Sequence, residues 1–139
     1  MNRTEETKFR EQIDQWNDAD EFARCIEAIE AIPEQERGYL LTVKLSRAYS
    51  NLAVLGDHSA HGRDGDVDGE LLGHAIDLLE SVRLQGENDP YWNARMGYSC
   101  LMAYSSAATA YEYAKHWLAL APDRKSTRQN SSHIRRSRM

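Results

Sequence analysis

Residues 90–122 read PYWNARMGYSCLMAYSSAATAYEYAKHWLALAP, and this stretch decides the fold. Asp89 is a good helix N-cap, and Pro90 is a residue favoured at the first position of a helix. After a few small residues, a second apolar pattern with helical spacing begins, and it ends before Pro122. The stretch therefore predicts two helices that fold back on each other as an antiparallel hairpin.

An earlier segment carries a second copy of this pattern, in which Leu45, Ser46 and Tyr49 belong to the first helix and Ala75 belongs to the second. Ala75 and its counterpart Ala110 lie 35 residues apart. Tetratricopeptide (TPR) repeats, which are hairpins of two helices, have a period of about 34 residues. The spacing indicates a helical repeat, a class of structure that binds other proteins on an extended surface.

The chain resembles the TPR family at specific positions, most fully in its last repeat. In the family's first helix a large residue precedes a Leu-Gly pair. Here Met96-Gly97 resembles that pair, as Leu45-Ser46 does in the middle repeat. Small residues at these positions let the two helices of one hairpin approach closely. The other matching positions are Trp92, Tyr49, Ala75, Leu79, Ala110 and the ending Leu118–Pro122.

The chain also departs from the family pattern. The segment from Gly97 to Ala110 is one residue longer than the family spacing, and Cys100 stands where a Tyr is expected. The middle repeat carries a long insertion, residues 56–69, and the first hairpin matches only in its apolar pattern. The chain is most similar to short, acidic, bacterial TPR proteins. The resemblance implies an all-α fold, a TPR-like α-solenoid of about three antiparallel helical hairpins in residues 1–122.

No segment shows the period-two alternation of a half-buried strand, so strands are not expected. The apolar patterns with helical spacing predict six helices. Thr4 is expected to cap the first helix, Asp18 or Asp20 to begin the second, and Pro33 to end it. The other four are expected at about Glu36–Leu55, Gly69–Leu84, Pro90–Tyr104 and Ala107–Leu120.

The last residues, 123–139, resemble translated DNA of a sequencing adapter. Ten of the eleven residues from Asp123 to His133 match the adapter's translation, and a single base change accounts for Gln129. The final Ser137-Arg138-Met139 matches a later part of the adapter in a consistent frame. We expect a non-native tail that packs against nothing, either disordered or as a solvated helix, and a native chain that continues past Pro122 into a covering helix. The alternative is a basic Ser/Arg tail that binds nucleic acid.

Charge and hydropathy narrow the classes of function. Residues 1–122 hold 11 Lys and Arg against 21 Asp and Glu, a net charge of −10. So acidic a body repels phosphate backbones, and we expect no nucleic-acid partner. No apolar run approaches the roughly 20 residues that a membrane span needs, and the N-terminus lacks the apolar stretch of a secretory signal. Cys25 and Cys100 are expected to be buried and unpaired, as suits a reducing cytoplasm.

Lys44, Arg47 and Asn51 share one face of the third predicted helix, because they are spaced i, i+3 and i+7. Arg95 occupies a similar outward position in the last repeat. TPR stacks present their first helices on a concave, peptide-binding face. The resemblance therefore implies that these residues, together with Tyr98, bind a carboxylate of a protein or peptide partner. The alternative is an ordinary solvated face.

Aromatic residues crowd the last repeat. Trp92 and Trp117 are expected in the core between the helices, and lining a recognition groove is the alternative for part of the group, because Tyr and Trp are favoured in such grooves.

The insertion contains half of a calcium loop. Asp64, Asp66, Asp68 and Gly69 place oxygen ligands at alternate positions, with the Gly at the turn. The twelfth position, which should be a bidentate Glu, is Ala75. A flexible acidic loop without a metal is therefore expected, and no cofactor is predicted.

The sequence contains no glycine-rich phosphate loop, nucleophile elbow or His-Glu-x-x-His motif. We expect a cytoplasmic interaction scaffold that is not an enzyme. One alternative is a self-associating structural module whose open last hairpin packs against another chain. A third interpretation is a calcium-responsive binder that uses the loop at residues 64–69.

Overall fold

The structure, a computed structural model, describes residues 1–56, 67–103 and 107–120. These parts of the chain contain seven α-helices, a 3-10 turn and no β-strand, so the predicted all-α fold class is confirmed. The predicted tail at 123–139 lies outside the described residues. The helices are α1 (Arg3–Asp18), α2 (Phe22–Glu30), α3 (Gly38–Leu55), α4 (Gly69–Ser81), α5 (Arg83–Gly86), α6 (Pro90–Met102) and α7 (Ala107–Leu120), and the 3-10 turn is Glu34–Glu36.

The helices pack side by side and antiparallel in three consecutive pairs, α1 with α2, α3 with α4, and α6 with α7. Each pair also contacts the next one along the chain. Helix α3 packs against both α1 and α2, and α6 packs against both α3 and α4. Helices α1, α3 and α6 are therefore successive neighbours, and they form one row along the molecule.

Local backbone chemistry sets the helix starts and corrects two of the predicted ones. Asn2, rather than Thr4, caps α1, because its side chain accepts a hydrogen bond from the Glu5 N–H while the Glu5 carboxylate accepts one from the Asn2 N–H. This reciprocal arrangement is a capping box. Asp20 does not begin α2, because its φ of 63° is left-handed. Helix α2 instead begins at Phe22.

The core consists of two apolar clusters, and α3 contributes to both. Leu41, Leu45 and Ala48 belong to the first cluster, which joins α1, α2 and α3. Val43 belongs to the second, which joins α3, α4, α6 and α7 around the fully buried indole of Trp92. The other buried members are Ile13, Cys25 and Ile29 in the first cluster, and Leu79, Met96, Cys100 and Ala110 in the second.

Both cysteines are buried and form no disulfide, as expected from the sequence. The Cys25 thiol donates a hydrogen bond to the Ile13 carbonyl oxygen at 3.4 Å, and burial raises its pKa to about 11. The thiol is therefore protonated at neutral pH, and a protonated, buried thiol is chemically inert.

Small residues allow close helix approach inside two of the three pairs, at the positions that the sequence predicts. In the α3–α4 pair, the Ser46 hydroxyl donates to the Ala75 carbonyl oxygen at 2.8 Å. In the α6–α7 pair, a methyl group added at Gly97 would lie 3.4 Å from the Ala110 carbonyl oxygen and 3.3 Å from Cβ of Tyr113. These contacts bring a helix backbone directly against its partner helix.

The predicted fourth helix, Gly69–Leu84, is divided in the structure, because α4 ends at Ser81 and the short α5 follows. Gly86, the last residue of α5, is buried against the Trp92 ring, whose Nε1–H donates to the Leu79 carbonyl oxygen at 2.9 Å. The bare Cα of Gly86 therefore makes room for the largest side chain of the core.

The same substitution at two glycines should change stability in opposite directions. We expect Gly86→Ala to lower the free energy of unfolding by about 1–3 kcal/mol, because the new methyl group collides with an indole that a hydrogen bond holds in place. Gly73→Ala, inside α4 with open space around it, should raise that free energy by about 0.5–1 kcal/mol. Urea denaturation monitored by circular dichroism measures both. Equal effects would mean that the indole position is not constrained.

Candidate functional site

The outward side of the row α1–α3–α6 brings together the partner-binding residues that the sequence predicts. Lys44 and Arg47 of α3 point towards α1. The Lys44 ammonium lies 2.7 Å from Asp14 Oδ1, and the Arg47 guanidinium lies 3.2 Å from Asp18 Oδ1. Two carboxylates one helical turn apart on α1 thus pair with two cations on α3.

Arg95 of α6 connects the third helix of the row to α3. One of its terminal nitrogens donates to the Ser50 hydroxyl and to Asn51 Oδ1, the latter at 3.2 Å. Its guanidinium carbon lies 4.8 Å from the ring centroid of Tyr98, close enough for a cation–π contact. All five predicted residues therefore belong to one continuous surface, which we call the row face: Asp14, Asp18, Lys44, Arg47, Asn51, Tyr91, Arg95 and Tyr98.

A cleft of about 420 Å³ opens on the row face. Its lining combines both charges and an aromatic ring, since Asp14, Asp18, Lys44, Arg47 and Tyr91 surround it. Ionic groups with an aromatic wall can hold a peptide segment through its charged side chains and its backbone amides.

The three cations of the row face differ in how their charge is balanced. Lys44 and Arg47 each have a carboxylate partner. Arg95 has only neutral acceptors and a ring among the described residues, and its Nε is buried without a hydrogen-bond partner. Burial lowers the pKa of Arg95, and the like charge of Arg47 adds to this effect. A desolvated guanidinium in this situation gains more from an incoming anion than a solvated one does.

Sequence reasoning missed three members of the row face, Asp14, Asp18 and Tyr91, and it also missed the buried Ser50, which accepts a hydrogen bond from Arg95. The i, i+4 spacing of the two aspartates matches the i, i+3 spacing of Lys44 and Arg47. The ion pairs could therefore have been predicted from the sequence once α1 and α3 were known to be neighbours. Ser50 carried no such signal.

The calcium hypothesis involves residues that are only partly described. Asp64 and Asp66 lie outside the described residues. Asp68 is buried, and its Oδ1 accepts hydrogen bonds from the N–H groups of Glu70 and Leu71 at 3.1 and 3.2 Å. This side chain is the N-cap of α4. Across the described residues, no group of three or more His, Cys, Asp or Glu is arranged to hold a metal ion.

An apolar groove of about 370 Å³ lies between α6 and α7, next to the row face. The structure confirms that Trp92 is core, whereas the same prediction for Trp117 is wrong, because 40% of its surface is exposed. Trp117 lies two helical turns after the buried Ala110, on the same side of α7, and it forms part of a groove wall. The groove is lined by Asn93, Ala94, Gly97, Tyr98, Leu101, Ala110, Tyr111, Ala114 and Trp117.

A polar cleft of about 760 Å³ lies elsewhere on the last pair, and its lining includes Arg83 and Lys115. Arg83 contacts both carboxylate oxygens of Glu80, at 2.6 and 2.8 Å, and donates to the Tyr113 hydroxyl at 2.7 Å. Its guanidinium also lies over the rings of Trp92 and Tyr113. The Arg83 guanidinium is already engaged by Glu80 and Tyr113 within the fold. The cleft is therefore a weaker candidate for a binding site than the row face.

No protein-family model, curated protein or solved structure matches the chain. Within the described ranges, no helix has both the length and the apolar character needed to cross a bilayer.

The two ion pairs of the row face should contribute little to stability, because their carboxylates, Asp14 and Asp18, are well exposed, and pairs open to solvent are typically worth less than about 1 kcal/mol. We expect Lys44→Gln and Arg47→Gln each to lower the free energy of unfolding by no more than that amount, measured by urea denaturation. Lys44→Glu, which would place a carboxylate against Asp14, should be the more destabilising change. A loss above about 2 kcal/mol for either Gln variant would make the pairs structural rather than exchangeable.

Proposed function

We propose that this chain is a TPR-like helical-repeat module that binds a protein or peptide partner on the row face, in the cytoplasm and without chemistry of its own. Two features support the TPR-like arrangement. The helices pair consecutively, and each pair contacts the next. Small residues lie at the contacts between helices, where Ser46 meets Ala75 and Gly97 meets Ala110.

The observation that carries the binding proposal is the unbalanced charge of Arg95. Its guanidinium is held in place by Ser50, Asn51 and Tyr98, and no described carboxylate pairs with it. An Arg that is already oriented loses little conformational freedom when it binds a carboxylate. A partner that supplies an Asp, a Glu or a chain terminus would complete this site.

The neighbouring ion pairs can exchange partners at low cost. Asp18 is mostly exposed, and its contact with Arg47 is 3.2 Å, so solvent already competes for the pair. A peptide carboxylate can replace Asp18 on Arg47, and the released Asp18 can then pair with a basic side chain of the same peptide. The row face is therefore suited to a segment that carries both charges, with an acid placed at Arg95.

Self-association is the second candidate function, and the apolar groove between α6 and α7 favours it. The net charge of −10 over residues 1–122 opposes it, because two copies of the chain repel each other. The calcium-responsive alternative stays a prediction, since two of its three carboxylates lie outside the described residues.

Peptide selection on the full chain tests the proposal. Peptides selected from a random display library should carry acidic residues. Arg95→Gln should weaken their binding at least about tenfold, the loss expected for one charge-assisted pair. Lys44→Gln should weaken it less. Fluorescence anisotropy with labelled peptides gives the dissociation constants, and circular dichroism checks that each variant is folded.

Arg24→Gln is the matched control, because Arg24 has an exposed ion pair with Glu21 at 3.0 Å on α2, outside the row face. Its affinity should equal that of the wild type. Selected peptides that bind Arg95→Gln and Lys44→Gln as tightly as the wild type would overturn the proposal, as would a library that yields no binder.

A further inference from the structure

We infer that the apolar groove between α6 and α7 is the docking site for an amphipathic helix that carries acidic residues beside its apolar stripe. This inference deepens the proposed function, since it names the class of partner that the molecule recognises next to the row face. It depends on the shape of the groove, on the two cations that lie near the rings of Tyr98 and Tyr111, and on the continuity between groove and row face.

The groove has a floor of small residues and walls of large ones. Ala94, Gly97, Ala110 and Ala114 leave the backbones of both helices accessible from the groove, while the rings and the leucine of the walls rise on either side. A ridge of large apolar side chains on a partner helix fits such a floor, because ridges pack into grooves between side chains. The walls are Tyr98, Leu101, Tyr111 and Trp117.

The exposed walls mark this surface as unusual for a protein of this charge. Leu101 is 49% exposed, and Tyr111 and Trp117 are also well exposed, although all three line the same groove. Contiguous exposed apolar surface of this kind is typical of interaction sites. The lining contains no charged side chain, so a partner can cover it without burying an unpaired ion.

Each of the two tyrosines in the groove walls, Tyr98 and Tyr111, has a cation close to its ring. The Arg95 guanidinium lies 4.8 Å from the centroid of Tyr98, and the Lys115 ammonium lies 5.3 Å from that of Tyr111. Arg95 has no described carboxylate partner, and Lys115 has only an exposed contact of 3.4 Å with Glu112 on its own helix. Acidic residues that flank the apolar stripe of a partner helix would meet these two cations.

The surrounding charge distinguishes this occupant from a second copy of the chain. Physiological salt screens charges beyond about 8 Å, so the acidic flanks of a docked helix interact with the charged groups beside the groove, among which Arg95 has no described carboxylate partner. A second copy would instead bring a large acidic body against another one, since residues 1–122 have a net charge of −10. Tyr98 belongs both to the groove and to the row face, so one partner can occupy both surfaces.

The test uses a labelled helical peptide of about 18 residues, five turns, with Leu and Trp along one stripe and Glu on its flanks. A second peptide has Lys in place of every Glu, and a third has the Glu peptide's composition in scrambled order. The full chain should bind the Glu peptide, bind the Lys peptide at least about tenfold more weakly, and fail to bind the scrambled one. Fluorescence anisotropy measures all three.

Two pairs of variants locate the binding. Leu101→Ser should weaken binding of the Glu peptide at least about tenfold, whereas Leu40→Ser should change it by less than about twofold. These leucines are a matched pair, because Leu40 is 51% exposed and lies outside the groove. Lys115→Glu should weaken binding of the Glu peptide and strengthen that of the Lys peptide, while Lys8→Glu on α1 should do neither.

Several results would overturn the inference. Equal effects of Leu101→Ser and Leu40→Ser would place binding outside the groove. Preference for the Lys peptide would mean that the net negative charge of the protein, rather than the two cations, determines which peptide binds. A concentration-dependent dimer in sedimentation that Leu101→Ser dissociates would assign the groove to a second copy. If library peptides depend on Arg95 but not on Leu101, the groove inference fails and the proposed function stands. If they depend on neither, both fail.

Discussion

Close contact between helix backbones is the constraint on which the rest of the structure depends. Where Ser46 meets Ala75, and where Gly97 meets Ala110, a larger side chain would force the two helices of a pair apart. Interior packing is dense enough that even one added methylene is felt. Because these contacts fix the distance within the α3–α4 and α6–α7 pairs, they also fix which residues of α3 and α6 remain free to face α1 and solvent. The row face is a consequence of that spacing.

The sequence predicted the start of α6 from local chemistry, but it missed the cap of α1, the start of α2 and the break between α4 and α5. Asp89 and Pro90 predict the start of α6, and in the structure that helix begins at Pro90 with Asp89 as its N-cap. The break between α4 and α5 was not predicted, because it lies beside contacts with the next helix: the Trp92 ring packs against Gly86, and its Nε1–H donates to the Leu79 carbonyl oxygen. The TPR-like arrangement itself remains a proposal, supported by the positions of the small residues.

For the candidate site, sequence periodicity placed Lys44, Arg47, Asn51 and Arg95 on outward faces, and the structure brings them onto one surface. Their partners could not be predicted in the same way. Pairing Lys44 with Asp14 requires the relative register of α1 and α3, which depends on cluster packing rather than on either helix alone. The prediction that Trp117 is buried was wrong for a related reason. An aromatic residue at helical spacing gives the same sequence pattern on a buried face and on a groove wall.

The buried N-cap of α4 has a consequence for how this molecule can change over evolution. Besides capping the helix, Asp68 donates its backbone N–H to the carbonyl oxygen of Ala53 in α3, at 3.0 Å. The end of one helix is thereby tied to the start of the next, independently of whatever chain connects them. The entropy of closing a loop grows only with the logarithm of its length, and a doubling costs about 0.6 kcal/mol. The connection between α3 and α4 is thus a site where residues can be inserted, lost or replaced while the register of the two helices is preserved.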